Sequence, residues 1–198
     1  MHLKSVLAVF VVTCSLPLIA QTVPDANAGG FPQWRAGAGI SITNPDFGGH
    51  GDLYGGTLWV EYVLNKIPES LRGTSVELEA RDLRFGVQRS ESVNQYDSAA
   101  VGPTYTFRRK SMLRPYVKFN FGMGNADYRD GLLRLHHSGA LIGFGGGATV
   151  KAYRQLWVRF DYEYQVLPTY FKSATGSAAL DPQGITVGAM YHLGREAH

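Results

Sequence analysis

From Leu156 to Val166 the chain reads LWVRFDYEYQV, and every second residue is apolar or aromatic: Leu156, Val158, Phe160, Tyr162, Tyr164 and Val166. Trp157, Arg159, Asp161, Glu163 and Gln165 sit between them. Successive side chains leave a strand on opposite faces, so this alternation predicts a β-strand with one greasy face and one charged face. Seven further segments carry the same period. They are Trp34–Thr43, Tyr54–Leu64, Gly73–Phe85, Asp97–Arg108, Arg114–Tyr128, Ser138–Tyr153 and Gly184–Leu193. Pro and Gly punctuate the connections, and no stretch of helical period competes. The expected fold is all-β, an eight-stranded antiparallel up-and-down barrel.

The segments run to roughly 10–15 residues, beyond the about 5–6 usual for strands of soluble sheets. That length suits strands that cross a bilayer at a tilt. The connections alternate in length. NPDFGGHGD, GVQRSESVNQ, RDGLLRLHH and LPTYFKSATGSAALDPQ are long, whereas NKIPESLR, RKSML and RQ are short. An up-and-down sheet puts the long set at one end and the short set at the other. Short periplasmic turns and long outer loops are the habit of outer-membrane barrels.

Which face points outward decides between a soluble and a membrane barrel. The apolar set is nearly free of charge across mid-strand: Leu58, Val60 and Tyr62; Val117, Phe119 and Phe121; Ile142, Phe144, Ala148 and Val150. The opposite set mixes both signs. Glu61, Glu77, Glu79, Asp161 and Glu163 are matched by Arg35, Arg81, Lys118, Lys151 and Arg159, with Gly37, Gly39, Gly143, Gly145 and Gly147 leaving room. Eight strands make a barrel just wide enough to be filled by side chains. Charges inside it must be paired, because an isolated buried charge is too costly. The apolar face is therefore expected to meet lipid, with the charges forming a lumen network. Trp34, Tyr62, Tyr105, Phe107, Tyr116, Tyr153, Trp157 and Tyr191 are expected to form an aromatic girdle at the short-turn rim.

Composition changes the picture little. Charged residues make up 18% of the 198 and the net charge is +3, too weak and scattered for a nucleic-acid partner. Arg108-Arg109-Lys110 reads as a solvated turn. MHLKSVLAVFVVTCSLPLIA has the charged start, apolar stretch and small-residue end of a secretory signal peptide. Cleavage is expected after Ala20 or after Ala28. The only cysteine, Cys14, lies in that leader, so the exported chain carries no disulfide framework. No later stretch is long and apolar enough for a membrane-spanning helix. The expected organisation is a signal peptide over 1–20, a periplasmic segment over 21–32, the barrel over 33–194 and a tail over 195–198.

The last strand, TVGAMYHL, places Thr186, Gly188, Tyr191 and Leu193 in the polar, glycine and aromatic or apolar positions of a terminal outer-membrane assembly signal. RPYVKFNFGMG at 114–124, GFGGGATVKAYRQLWVRFDYEYQ at 143–165 and this final strand together resemble the OmpA-like, eight-stranded outer-membrane β-barrel family. The resemblance covers roughly Trp34 to Leu193. It implies outer-membrane localisation, with outer-membrane lipids and the outer-membrane insertion machinery as partners.

Three functional readings follow. The first is a non-enzymatic barrel with a structural, envelope or surface-interaction role. Its lumen is filled by the charged network of Arg35, Glu61, Glu77, Glu79, Arg81, Lys118, Lys151, Arg159, Asp161 and Glu163, leaving at most a narrow pore. The long loops, with Pro168, Tyr170, Phe171 and Lys172 at one tip, are expected to meet any surface ligand. The second is a lipid A-modifying enzyme using a His-x-Ser pair, for which His136 and Ser138 have the spacing. Gly139 stands where such deacylases carry Asn, and no acid follows until Glu163. Adjacent His136 and His137 point opposite ways on a strand and make a poor zinc site. The third is a secreted lipocalin-like barrel that binds an apolar ligand. No catalytic residue, metal or cofactor is expected on the first reading.

Overall fold

The computed structural model describes residues 34–44, 52–65, 67–85, 95–107, 111–130, 133–173 and 176–193. The expected signal peptide, the 21–32 segment, the 195–198 tail and Arg108–Lys110 lie outside the described residues. The strands are β1 (Trp34–Asn44), β2 (Leu53–Val63), β3 (Thr74–Phe85), β4 (Gln95–Thr106), β5 (Leu113–Asp130), β6 (Leu133–Tyr153), β7 (Leu156–Ser173), β8 (Gly176–Leu180) and β9 (Gln183–Leu193).

From β1 to β7 each strand pairs antiparallel with the next. β9 then pairs with both β7 and β1, so the sheet closes on itself. Gly188 is the joint: it lies opposite Arg159 on one side and Gly39 on the other. β8 and β9 are two parts of the eighth barrel strand, interrupted at Asp181-Pro182. The Pro182 carbonyl still accepts a bond from the Gln165 N–H at 2.8 Å. Closure leaves the barrel wall without an open edge, the condition for a sheet to reside in hydrocarbon.

The alternation fixes the faces. Glu77 and Glu163 are 0% and 1% exposed, while Ile40, Leu78 and Phe121 are 71%, 57% and 52% exposed. The charges are inside and the greasy residues outside, as the sequence pattern predicts for a membrane barrel.

Two expectations need correction. The first concerns the loops RDGLLRLHH and LPTYFKSATGSAALDPQ. β5 and β6 stay paired as far as Asp130↔Leu133, and β7 turns back through β8 to Ser173↔Gly176. These stretches are largely strand. The backbone ladder continues past the hydrocarbon, where neither face needs to be apolar, so the period-two signal fades while the pairing does not.

The second concerns the aromatic girdle. Trp34, Phe107, Tyr153 and Tyr191 are exposed on the outer surface, and Trp34 packs on Tyr62 at 4.8 Å and Tyr105 on Phe107 at 4.9 Å. Trp157 and Tyr116, at 0% and 5% exposure, belong to the lumen. Their parity decides this: Trp157 shares a face with Arg159, and Tyr116 with Lys118.

At the short-turn end, β6 and β7 are joined through Arg154-Gln155. Arg154 takes the left-handed conformation, φ 38°, which is uncommon for a residue other than glycine.

Candidate functional site: the filled lumen

The inward positions stack in three levels. Nearest the long hairpins is an apolar plug of Leu53, Leu83, Tyr96, Ala100, Ala126, Leu141, Leu167 and Leu180, all buried. The sequence reading missed it. Parity was the available signal, since Leu83 continues the face of Glu77, Glu79 and Arg81, and Leu167 that of Glu163 and Gln165. The Tyr96 hydroxyl donates to Gln165 Oε1 at 2.6 Å, and Gln165 Nε2 donates to Glu163 Oε1 at 2.7 Å. The plug is thereby tied to the charges beneath it.

The middle level is the ionic network. Lys118 Nζ lies 2.7 Å from Glu79, 2.7 Å from Asp161, 2.5 Å from Glu163 and 3.7 Å from Glu77. Arg81 bridges Glu79 at 2.5 Å and Glu163 at 3.0 Å. Arg159 makes a two-point pair with Glu77 at 2.5 and 3.0 Å, reaches Asp161 at 2.9 Å, and donates from Nε to the Tyr116 hydroxyl at 2.7 Å. Arg35 pairs with Glu61 at 3.3 Å, and the Ser75 hydroxyl also donates to Glu61.

Within this network the charges nearly balance: Glu61, Glu77, Glu79, Asp161 and Glu163 face Arg35, Arg81, Lys118 and Arg159. Each buried ion carries a desolvation cost of several kcal/mol, which only close pairing and further hydrogen bonds offset. The structure therefore brings nine of the ten expected network residues into the buried interior. The tenth, Lys151, is half-buried nearer the short turns, its ammonium 5.9 Å from the Trp157 ring.

The level nearest the short turns is built on Trp59, Trp157 and Met190. The Arg159 guanidinium lies 4.8 Å from the Trp59 ring centre and 4.7 Å from that of Tyr116. Arg114 covers Trp157 at 3.9 Å, and His192 stacks on Trp157 at 5.2 Å with rings 7° from parallel. Glycines admit these rings: a Cβ on Gly37 or Gly188 would stand 2.4 or 2.6 Å from Trp59 atoms. Between this level and the network is a cavity of about 10 Å³, lined in part by Arg35, Glu61, Thr104 and Tyr116. That is room for about one water. Arg35 Nε and Thr104 Oγ1, which have no hydrogen-bond partner in the protein, supply suitable polarity.

Among the described residues, Glu79, Asp161 and Glu163 bring carboxylate oxygens within 4.8 Å of one another, as a metal site would. Lys118 already holds all three. The His136–Ser138 pair is on the outer surface. His136 bonds to Asp127 on β5, so the neighbouring strand supplies the acid that the downstream sequence lacks. Ser138, however, donates its hydroxyl to Asn125 at 3.1 Å and not to His136. The His137, Tyr170, Phe171 and Lys172 side chains lie outside the described set. Thr186 is buried and bonds Ser41 at 2.6 Å, Gly188 lies beside Trp59, and Tyr191 and Leu193 face outward.

A closed barrel with its charges inside and its apolar residues outside is an integral barrel of the outer-membrane type. The chain belongs to the family of the outer membrane protein beta-barrel domain, whose model matches residues 10–192. Its place is the outer membrane. Among solved structures it is similar to Neisserial surface protein A, with TM-score 0.57 and 12% identity, over 80% of this chain and 95% of that one. It is also similar to Ail of Yersinia pestis, with TM-score 0.52 and 20% identity, again over 80% and 95%. A third similarity is to the N-terminal barrel of Pseudomonas aeruginosa OprF, with TM-score 0.53 and 15% identity, over 82% and 100%. At these identities the likeness is one of fold. No curated protein sequence matches the chain.

Proposed function

We propose that the protein is a non-catalytic outer-membrane barrel with a closed lumen, serving envelope integrity or surface contact through its long hairpins. The observation that carries this reading is Lys118, fully buried at the barrel axis with Glu79, Asp161 and Glu163 within 2.7 Å. Together with Arg81 and Arg159 it fills the cross-section through which an ion would pass, and the apolar plug lies above it. The remaining elements take their roles from this reading. Residues 1–20 direct export, 33–194 form the barrel, Thr186, Gly188, Tyr191 and Leu193 present the last strand to the insertion machinery, and any surface ligand meets the long hairpins. The Ser138–Asn125 bond supports the non-enzymatic reading over lipid A modification.

The test is conductance of the purified barrel in a planar bilayer, with the lipid A acyl content of expressing cells measured in parallel. A silent bilayer and unchanged lipid A are expected. A sustained open level, or lipid A lacking an acyl chain unless Ser138→Ala is introduced, would overturn the proposal.

A further inference from the structure

The short turns carry one sign of charge. Between Leu64 and Gly73, Phe107 and Leu113, and Tyr153 and Leu156 the sequence places Lys66, Arg72, Arg108, Arg109, Lys110 and Arg154 against a single acid, Glu69. Glu69 pairs with Arg72 at 3.2 Å, both side chains exposed.

The turns follow directly on the lipid-facing surface. Leu113, Tyr153 and Leu156, at the short-turn ends of β5, β6 and β7, are exposed, as is Phe107 just past β4. In the turns themselves Leu71 and Met112 are exposed, Met112 by 70%. Apolar surface therefore runs to the last residue of the strands and beyond it. Such a rim belongs in the membrane interface, where amphipathic rings and the stems of long cations are favoured. The turns then lie in the headgroup layer.

Arg154 points the same way. Its left-handed φ of 38° is the conformation that glycine adopts at no steric cost, yet a long cation stands there. Its guanidinium lies 5.3 Å from the centre of the exposed Tyr153 ring. Ring and charge together make an interfacial anchor at the tightest of the turns.

We propose that the three short turns form an electrostatic surface that gathers anionic diacyl phospholipids, of the phosphatidylglycerol class, in the periplasmic leaflet. It enriches headgroups along a rim and does not enclose one in a pocket. The phosphates accept hydrogen bonds from the turn cations, while Leu71, Met112 and Tyr153 lie against the upper acyl chains. Zwitterionic headgroups gain less, because their own ammonium meets like charge. The surface rests on the barrel's residence in the outer membrane with its short turns periplasmic, and is independent of whether the lumen conducts.

Spin-labelled lipids test it. The full chain is reconstituted in phosphatidylcholine vesicles holding a trace of spin-labelled phosphatidylglycerol, phosphatidylethanolamine or phosphatidylcholine, and the motionally restricted fraction is measured. One cation near an anionic headgroup is worth a factor of about five in occupancy. With the cations at one end only, phosphatidylglycerol should exceed phosphatidylcholine about threefold when both leaflets are averaged. Phosphatidylethanolamine should match phosphatidylcholine. Salt at about 1 M, where the Debye length is about 3 Å, should remove the excess. Arg154→Gly, which suits the left-handed turn, should lower it, and adding Arg108→Gln, Arg109→Gln and Lys110→Gln should remove it. Arg84→Gln, at the opposite end of the barrel, should leave it unchanged. If the fourfold variant does not fold, Arg154→Gly carries the test alone.

Equal restriction of phosphatidylglycerol and phosphatidylcholine, an excess that survives salt, an unchanged excess in the folded turn variants, or an equal loss in Arg84→Gln would overturn the proposal. Mobility of the unheated protein on detergent gels separates two kinds of failure. A folded, heat-shifted barrel with no lipid excess sinks this surface alone, whereas absence of the heat shift sinks the membrane barrel with it.

Discussion

Arg159 and Glu77 form a two-point ion pair, at 2.5 and 3.0 Å, between β7 and β3. These strands stand opposite each other in the closed ring, so the pair spans the lumen. Arg81 on β3 and Glu163 on β7 cross it again at 3.0 Å. Such cross-ties explain why charged residues are tolerated at the centre of the barrel. Each ion has partners on opposite walls, and the walls are held together through them.

Lys118 is the member with most to lose. Lys118→Met leaves Glu79, Asp161 and Glu163 without their shared ammonium, and removing one partner of a buried ionic group costs about 3–5 kcal/mol. Urea unfolding in lipid vesicles should show a loss of that size. Adding Glu163→Gln should recover part of it, because residues in one network couple by about 0.5–3 kcal/mol. Strict additivity of the two changes would mean that the pair at 2.5 Å contributes no coupling.

Gly37 makes room for Trp59, so Gly37→Val should overpack the level nearest the short turns. Its Cβ would stand 2.4 Å from the Trp59 ring and 2.7 Å from the Ala189 carbonyl. The expected loss of stability is about 1–3 kcal/mol. Trp59→Leu in the same chain should relieve the part due to the ring and leave the part due to the backbone. Thermal unfolding of the four-way variant set reads both.

The three tryptophans report on two environments. Trp34 is 49% exposed on the outer rim, while Trp59 and Trp157 are 2% and 0% exposed in the lumen. In vesicles of brominated lipid, emission from Trp34 should be quenched and that from the other two should not. Acrylamide in the water phase should leave Trp59 and Trp157 nearly untouched. Single-tryptophan variants separate the signals, and strong acrylamide quenching of Trp157 would show that water enters from the short-turn end.

How much of this was legible in the sequence follows from what alternation encodes. It places Arg159, Asp161 and Glu163 on one face and Phe160 and Tyr162 on the other, and the scarcity of outward charge says which face meets lipid. It carries no information on register, so which acid meets Lys118 stays hidden until β3, β5 and β7 are closed around one axis. The plug of Leu53, Leu83, Tyr96 and Leu167 escaped because an inward leucine near a strand end looks like any leucine. Trp157 and Tyr116 were expected among the rim aromatics for their size and position, although their parity with Arg159 and Lys118 points inward. The extended β5–β6 and β7–β8 hairpins were hidden because strands outside hydrocarbon need no apolar face.

The barrel is inside-out with a filled lumen, and one scan of β5 tests both halves. Single cysteines replacing Tyr116, Val117, Phe119, Asn120 and Phe121, in a Cys14→Ser background, would be spin-labelled in vesicles. Collision with oxygen, which concentrates in lipid, and with a water-soluble nickel chelate would then be measured. The predicted result has period two. Labels at 117, 119 and 121 meet oxygen and not nickel, and labels at 116 and 120 meet neither. Nickel access at 117, 119 and 121 would contradict the membrane-facing surface, and nickel access at 116 and 120 would contradict the filled lumen.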